Sequence, residues 1–275
     1  MHIKPDCINC ILNQTLKVCK LLELDEGKSK ELLDSTHKIL INSSMDMTPP
    51  QIAKDTYADI AKLTNNPDPV AKAKEMATEV ALNVDTSFVQ TLDDAIKMAA
   101  IGNVIDFGAQ NQLDLNHTIK EHFNKKFAID DVDIFKYDLS KAKTLVYIGD
   151  NCAEHIFDKL LISKIKELYD IDVYYFVRGK PIINDVTVKE ASYLQDVATI
   201  VDTGVPTPGY DLRYANETSK EIYYNADMVI AKGMGNYESL YDETTKEIYY
   251  LFIVKCSVVA QAIGHDVGEF IFAKH

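Results

Sequence analysis

Four short β-rich runs constrain this chain more than any other feature: "TLVYIG" (144–149), "VYYFV" (173–177), "ATIVD" (198–202) and "MVIAKG" (228–233), separated from one another by helix-like stretches. Strands that alternate with helices are joined by crossovers, which lay them parallel and put helices on both faces of the sheet. The runs within "EIYYLFIVK" (247–255) and "EFIFAK" (269–274) read as further strands or buried helix, with an antiparallel edge among the options. Upstream the periodicity is helical. Asp6 stands as a cap ahead of Ile8, Ile11, Leu12, Leu16 and Cys19, and Thr48 precedes Pro49 at a first-turn position. The expectation is an α/β fold: a three-layer, mainly parallel sheet domain over residues 91–275 with a helical N-terminal subdomain over residues 1–90.

Charge narrows the function. Among 275 residues the formal net charge is −13, which disfavours a protein that tracks a nucleic-acid backbone and so needs clustered Lys and Arg. No apolar run approaches the ~18–20 residues of a membrane span, and "MHIKPDCINC" lacks the apolar core of a signal peptide, so a cytoplasmic protein is expected. Five cysteines, at 7, 10, 19, 152 and 256, are too few and too scattered for a disulfide framework. They read as thiols or ligands. A small substrate is the favoured partner, and the oligomeric state is not legible.

The strand ends carry the chemistry. "TLVYIG" runs into Asp150 and Asn151, "VYYFV" into Arg178 and then "PIINDVT", and "MVIAKG" closes on Lys232. In parallel sheets these carboxyl ends line the ligand crevice. Asp150 and Asp185 are one strand-helix-strand unit apart, so both can serve one ion. Two carboxylates and an amide carbonyl are hard oxygen donors suited to magnesium or manganese. Arg178 and Lys232 add charge partners for an anionic, many-oxygen group, for which phosphate is the natural candidate. Asn103 and Asp106 in "GNVID" are placed to orient substrate or water. Each choice has a plainer alternative: Asp150, Asn151 and Asp185 as turn and helix caps, Arg178 and Lys232 as solvated charges. Convergence on one sheet edge favours the site.

"CINC", "GNVIDFG", "GDNCAEHIFDKLL", "VRGKPIINDVT", "AKGMGNYESL" and "VKC", in this order along nearly the whole chain, resemble the damage-control phosphatases, long catalogued as domain of unknown function 89. The double-cysteine start is similar to the stand-alone prokaryotic branch. The resemblance implies a phosphatase using a divalent metal (Mg2+, Mn2+, Co2+ or Ni2+) on a small phosphorylated metabolite, with Asp150, Asn151 and Asp185 on the metal-ligand positions. It sets Asn103, Asp106, Glu154, Arg178, Asn184 and Lys232 around the phosphate. Where relatives commonly read Asp-Asn-Ala-Gly-Glu, this chain has "DNCAE": a thiol follows Asn151 and a flexible residue is missing before Glu154.

Other readings compete. A carboxyl methyltransferase using S-adenosylmethionine is an activity proposed for some relatives, but "YIGDN" has one glycine where such a cofactor favours a glycine-rich turn. A non-catalytic phosphometabolite-binding protein would use the same edge. Lys255 is a further candidate phosphate contact, and His155 reads as a surface or supporting residue. Cys7 and Cys10, one helical turn apart, form a possible soft-metal or redox pair that Cys256 can join. The "TGVPTPGYDL" loop (203–212) is a candidate pocket wall, and the tyrosines of "EIYYN" and "EIYYLF" read as packing.

Overall fold

The computed structural model describes residues 1–103 and 112–275. Its centre is a seven-stranded sheet in the order β1-β7-β6-β5-β2-β3-β4. The strands are β1 (Phe127–Asp130), β2 (Thr144–Ile148), β3 (Asp172–Val177), β4 (Thr199–Asp202), β5 (Met228–Lys232), β6 (Tyr249–Ile253) and β7 (Phe270–Lys274). From β6 to β4 all neighbours are parallel. β7 runs antiparallel to β6, and β1 is parallel to β7, so one edge of the sheet is reversed. The expected α/β class and its antiparallel edge are both present. β1, a half-buried strand of four residues, lay outside the sequence reading.

Each strand divides its side chains between two cores, as the period of two requires. On β2, Leu145 and Tyr147 face one layer while Val146 and Ile148 face the other, and β5 splits in the same way into Met228 and Ile230 against Val229 and Ala231. The first layer is closed by α5 (Leu92–Gly102), α7 (Val132–Leu139) and α8 (Glu154–Leu168), through Ile96, Phe135, Phe157 and Leu161. The second is closed by α10 (Glu217–Asn225), α11 (Gly233–Leu240) and α12 (Ser257–Ile263), with Cys7 and Ile11 of α1 (Pro5–Leu21) and Ile52 of α3 (Pro49–Thr64).

The N-terminal third is helical: α1, α2 (Glu26–Asn42), α3 and α4 (Ala71–Leu82). Thr48 is the N-cap of α3, and its backbone N–H donates to Gln51 Oε1 at 3.0 Å. Asp6 is not the cap of α1. Lys4 holds that place, because Pro5 is pre-organised for the first helical position and has no N–H to satisfy. Val18, Cys19, Leu32, Tyr57 and Ile60 make a small separate core, into which Ile182 inserts from the loop after β3. Among the described residues no helix is long and apolar enough to cross a membrane.

Candidate active site

The carboxyl ends of β2, β3 and β5 are adjacent because those strands are adjacent and parallel. Asp150 and Asn151 follow β2, Arg178 follows β3, Lys232 ends β5, and Asn103 ends α5 beside them. The segment after β3 folds back: Asn151 pairs with Asp185 in an antiparallel bridge, Val186 N–H donates to Asp150 O at 2.8 Å, and Cys152 N–H donates to Asn184 O at 2.8 Å. The two carboxylates expected to share an ion are thus laced together by backbone.

Neither Asp150 nor Asn151 caps α8, whose N-cap is Ala153, and Asp185 caps nothing because Thr187 is the N-cap of α9 (Val188–Ala191). The capping alternative therefore fails for all three. Asn151 Nδ2 donates to Asp150 Oδ2 at 2.9 Å and to Glu154 Oε1 at 2.8 Å. Asn103 Nδ2 repeats the pattern, at 3.1 Å and 2.8 Å. Arg178 Nε donates to Asp185 Oδ2 at 2.7 Å, and its Nη2 to Gly149 O at 3.2 Å. Among the described residues, no hydrogen bond engages Asp150 Oδ1, Asn151 Oδ1 or Asp185 Oδ1, and the buried Arg178 Nη1 has no partner.

Lys232 is buried between Glu154 Oε2 (3.1 Å) and Asp158 Oδ1 (2.8 Å). Asp158 also accepts from Tyr147 Oη at 2.6 Å and Tyr175 Oη at 2.8 Å. Burial raises the Lys232 cost of carrying charge, yet Asp158 and Glu154 win and hold its pKa above the ordinary lysine value. Asp150 goes the other way: burial, then the charges of Glu154 and Asp185, push it well above the carboxylate range against Arg178. Burial likewise pushes Asp185 up to about 6 although Arg178 opposes it. Four buried carboxylates thus face two buried cations. The surplus of acids over cations and the three oxygens that accept no hydrogen bond among the described residues, Asp150 Oδ1 having only Arg178 Nη2 at 4.0 Å, fit a divalent cation, and Asp150, Asn151 and Asp185 are the residues that would hold it.

Two glycines make the close packing possible. A Cβ on Gly149 would stand 2.5 Å from Tyr175 Oη, and one on Gly233 only 1.8 Å from Asp150 Oδ2. Two other residues are strained: Ala153 at φ 71 and Ile183 at φ 47. Non-glycine residues held there cost of order 1–3 kcal/mol each and persist only where the surroundings over-determine them. Ala153 takes this backbone immediately before Glu154.

Asp158, Asn236, Tyr147 and Tyr175 escaped the sequence reading. Asp158 follows Glu154 by one helical turn, an acid on an otherwise apolar face, which was the available signal. Asn236 donates to Gly149 O (3.0 Å) and Lys232 O (2.6 Å) and accepts from Tyr210 N–H (2.7 Å), tying the 203–212 loop to the site. Asp106 lies outside the described residues. Asn184 and the exposed Lys255 border the site, with Lys255 close enough for its charge to act on Asp150. His155 is buried, its Nδ1 without a partner among the described residues, and burial lowers its pKa to about 4; the expectation of a surface position is corrected, because His155 packs against Tyr193. Cys7 and Cys10 lie on α1 and Cys256 caps α12, its Sγ accepting from Val259 N–H at 3.5 Å. Burial raises the Cys7 and Cys10 pKa values, with Glu238 and Cys256 adding to the rise. Among the described residues no three His, Cys, Asp or Glu side chains form a group that could hold a metal ion.

Comparisons with known proteins agree along the whole chain. Residues 3–271 match the family model described as damage-control phosphatase ARMT1-like domain. An uncharacterized protein of Methanocaldococcus jannaschii is 34% identical, over 100% of this chain and 96% of its own length. Damage-control phosphatases of Pyrococcus horikoshii (30% identical, 98% of this chain and 97% of the relative) and Archaeoglobus fulgidus (32%, 98% and 98%) are also similar. The crystal structure of a DUF89 family protein from Pyrococcus horikoshii superposes with a TM-score of 0.92 at 27% identity, covering 100% of this chain and 99% of that one.

Proposed function

The chain belongs to the damage-control phosphatase ARMT1-like domain family and is a phosphatase, and we propose that it hydrolyses small phosphorylated metabolites with a divalent metal. Damaged or side-product sugar and cofactor phosphates are the proposed substrates, and the cytoplasm the proposed place of action. The observation that carries the metal and phosphate parts is a set of groups without a hydrogen-bond partner among the described residues: Asp150 Oδ1, Asn151 Oδ1 and Asp185 Oδ1 beside Arg178 Nη1.

The side chains divide the work. A bound divalent cation supplies Lewis-acid stabilisation of charge on the transferring phosphoryl group. Arg178 is held by Asp185 and Gly149 O, which leaves Nη1 to donate to a phosphoryl oxygen. Lys232, kept protonated by Glu154 and Asp158, gives the site a fixed positive charge that does not reorganise during reaction. Asn103 and Asn151 bridge Asp150 and Glu154 by donating to both, which fixes the two acids in a small volume. Asn184, Lys255 and Asp106 are proposed phosphate contacts, with residues 1–90 as the helical subdomain beside the phosphatase domain of residues 91–275.

The test is phosphate release from sugar phosphates, nucleotides, phosphopantetheine-like esters and p-nitrophenyl phosphate after chelation, then with Mg2+, Mn2+, Co2+ or Ni2+ restored. Metal-restored release that disappears in Asp185→Ala supports the reading; turnover indifferent to chelation overturns its metal part. Tight ester binding without release would favour a binding protein. A soft-metal or redox role for Cys7, Cys10 and Cys256 is a separate proposal, tested by metal analysis and thiol titration; complete alkylation with no bound metal removes its metal arm.

A further inference from the structure

We infer that Lys74, on α4 in the helical N-terminal third, is a positioning residue that fixes the Asp185 arm of the site. The inference rests on the metal-site reading above. Lys74 is 1% exposed, and a buried ammonium persists only when paired. Its Nζ lies 2.9 Å from Asp68 Oδ2 and 3.1 Å from Glu190 Oε1. Glu190 passes the constraint on through its other oxygen: Oε2 accepts from Thr187 N–H at 2.9 Å and from Thr187 Oγ1 at 2.6 Å. Thr187 pairs with Arg178 in a parallel bridge, Arg178 N–H donates to Val186 O at 3.0 Å, and Arg178 Nε holds Asp185. Lys74 is therefore the far anchor of a continuous chain of polar contacts that ends on a proposed ligand.

The arm needs such an anchor. On its other side Ile182 is buried in the small core of α1, α2 and α3, and Ile183, a β-branched residue, is held at φ 47 immediately before Asn184 and Asp185. A strained backbone of this kind relaxes unless it is fastened at both ends. Lys74 also bears on Asp185 and Cys152 electrostatically, its charge opposing the effect of burial on both. A second tie between the same two helices supplies an internal control. Glu75 and Lys189, neighbours of Lys74 and Glu190, pair at 3.1 Å, but both side chains are about 70% exposed, where ion pairs contribute little.

The experiment compares wild type, Lys74→Met, Lys74→Arg, Thr187→Val and Lys189→Ala. Mn2+ affinity is read by calorimetry, and protection of the Asp185–Thr187 amides by hydrogen exchange in the metal-free proteins. Lys74→Met should bind Mn2+ roughly 10–100-fold more weakly, the usual effect of removing a group that orients a ligand from behind. Its arm amides should exchange faster, Lys74→Arg should recover part of both losses, and Lys189→Ala should show neither. Thr187→Val, which cuts the same chain without removing a buried charge, should weaken Mn2+ in the same direction and serves if Lys74→Met does not fold. Folded variants at Lys74 and Thr187 with wild-type Mn2+ affinity and unchanged amide protection would overturn the inference. Wild type that binds no Mn2+ would instead overturn the metal reading, with amide protection still deciding the role of Lys74.

Discussion

Replacing Gly233 with alanine tests how tightly the site is built. Gly233 stands at φ 74, where an L-residue pays ~1–2 kcal/mol for the close approach of Cβ to backbone. The larger effect comes from contact: the added Cβ would sit 1.8 Å from Asp150 Oδ2, whereas real Cβ contacts begin at about 3.0 Å. Asp150 or the start of α11 must therefore give way by more than ~1 Å. Asp150 cannot do so without lengthening its bonds from Asn103 (3.1 Å) and Asn151 (2.9 Å). Losing a hydrogen bond costs ~0.5–1.5 kcal/mol, so two of them together with the backbone strain should make Gly233→Ala destabilise the metal-free protein by about 2–5 kcal/mol. Displacement of a proposed metal ligand on that scale should lower phosphate release by ~10²-fold. Gly264 supplies the reference: it has the same backbone, φ 76, but a Cβ there meets nothing within 4 Å. Urea unfolding in chelator and phosphate release with Mn2+ would be measured for both variants. If Gly233→Ala loses no more stability than Gly264→Ala and keeps wild-type turnover, the packing of Gly233 against Asp150 has no such consequence.

Three more predictions follow from buried polar groups and strain. Burial pushes Glu238 up to about 7 against the pull of the N-terminal ammonium, so its contribution to stability is fully present below its unfolded value near 4.5 and is lost as pH rises through 7. Glu238→Gln should therefore gain about 1–2 kcal/mol on wild type between pH 5 and pH 8 in urea titrations, a figure reduced for the partial exposure of the side chain; a gap independent of pH contradicts this. Tyr147→Phe removes one donor from Asp158 and should cost ~1.5–3 kcal/mol in the same assay while leaving Lys232 paired, and a loss below ~0.5 kcal/mol would show that the hydroxyl is not needed there. Ala153→Gly exchanges relief of strain at φ 71 for lost burial and added chain entropy and should stay within ~1 kcal/mol of wild type, whereas Ala153→Val should lose more than ~3 kcal/mol; equal effects would contradict the strained backbone.

The parallel sheet was legible because its strands are continuous apolar runs buried on both faces, and each ends in a residue whose polarity needs an explanation. That logic placed Asp150, Asn151, Arg178 and Lys232 at the ends of their strands, where they stand. It missed β1, where "FAID" is a short, half-buried edge that lacks the apolar run of the central strands. It placed the start of α1 on Asp6, since caps are read from side-chain chemistry while Pro5 acts through backbone geometry. Asp158, Asn236 and Lys74 were not legible for a common reason: each is defined by partners on other elements. Nothing in "KAKEM" marks Lys74 as buried until α4 packs beside α9. Tyr147 and Tyr175 lie inside strand runs with no signal of their own, and only the placement of Asp158 beside them gives their hydroxyls a partner.

Anomalous diffraction from crystals grown with Mn2+ tests the central claim most directly. A single strong peak within coordination distance of Asp150, Asn151 and Asp185 Oδ1 atoms, absent in Asp185→Asn, is the expected result. A fully active protein whose peak lies elsewhere, or which shows none at saturating Mn2+, would contradict the assignment of these three residues as the metal site.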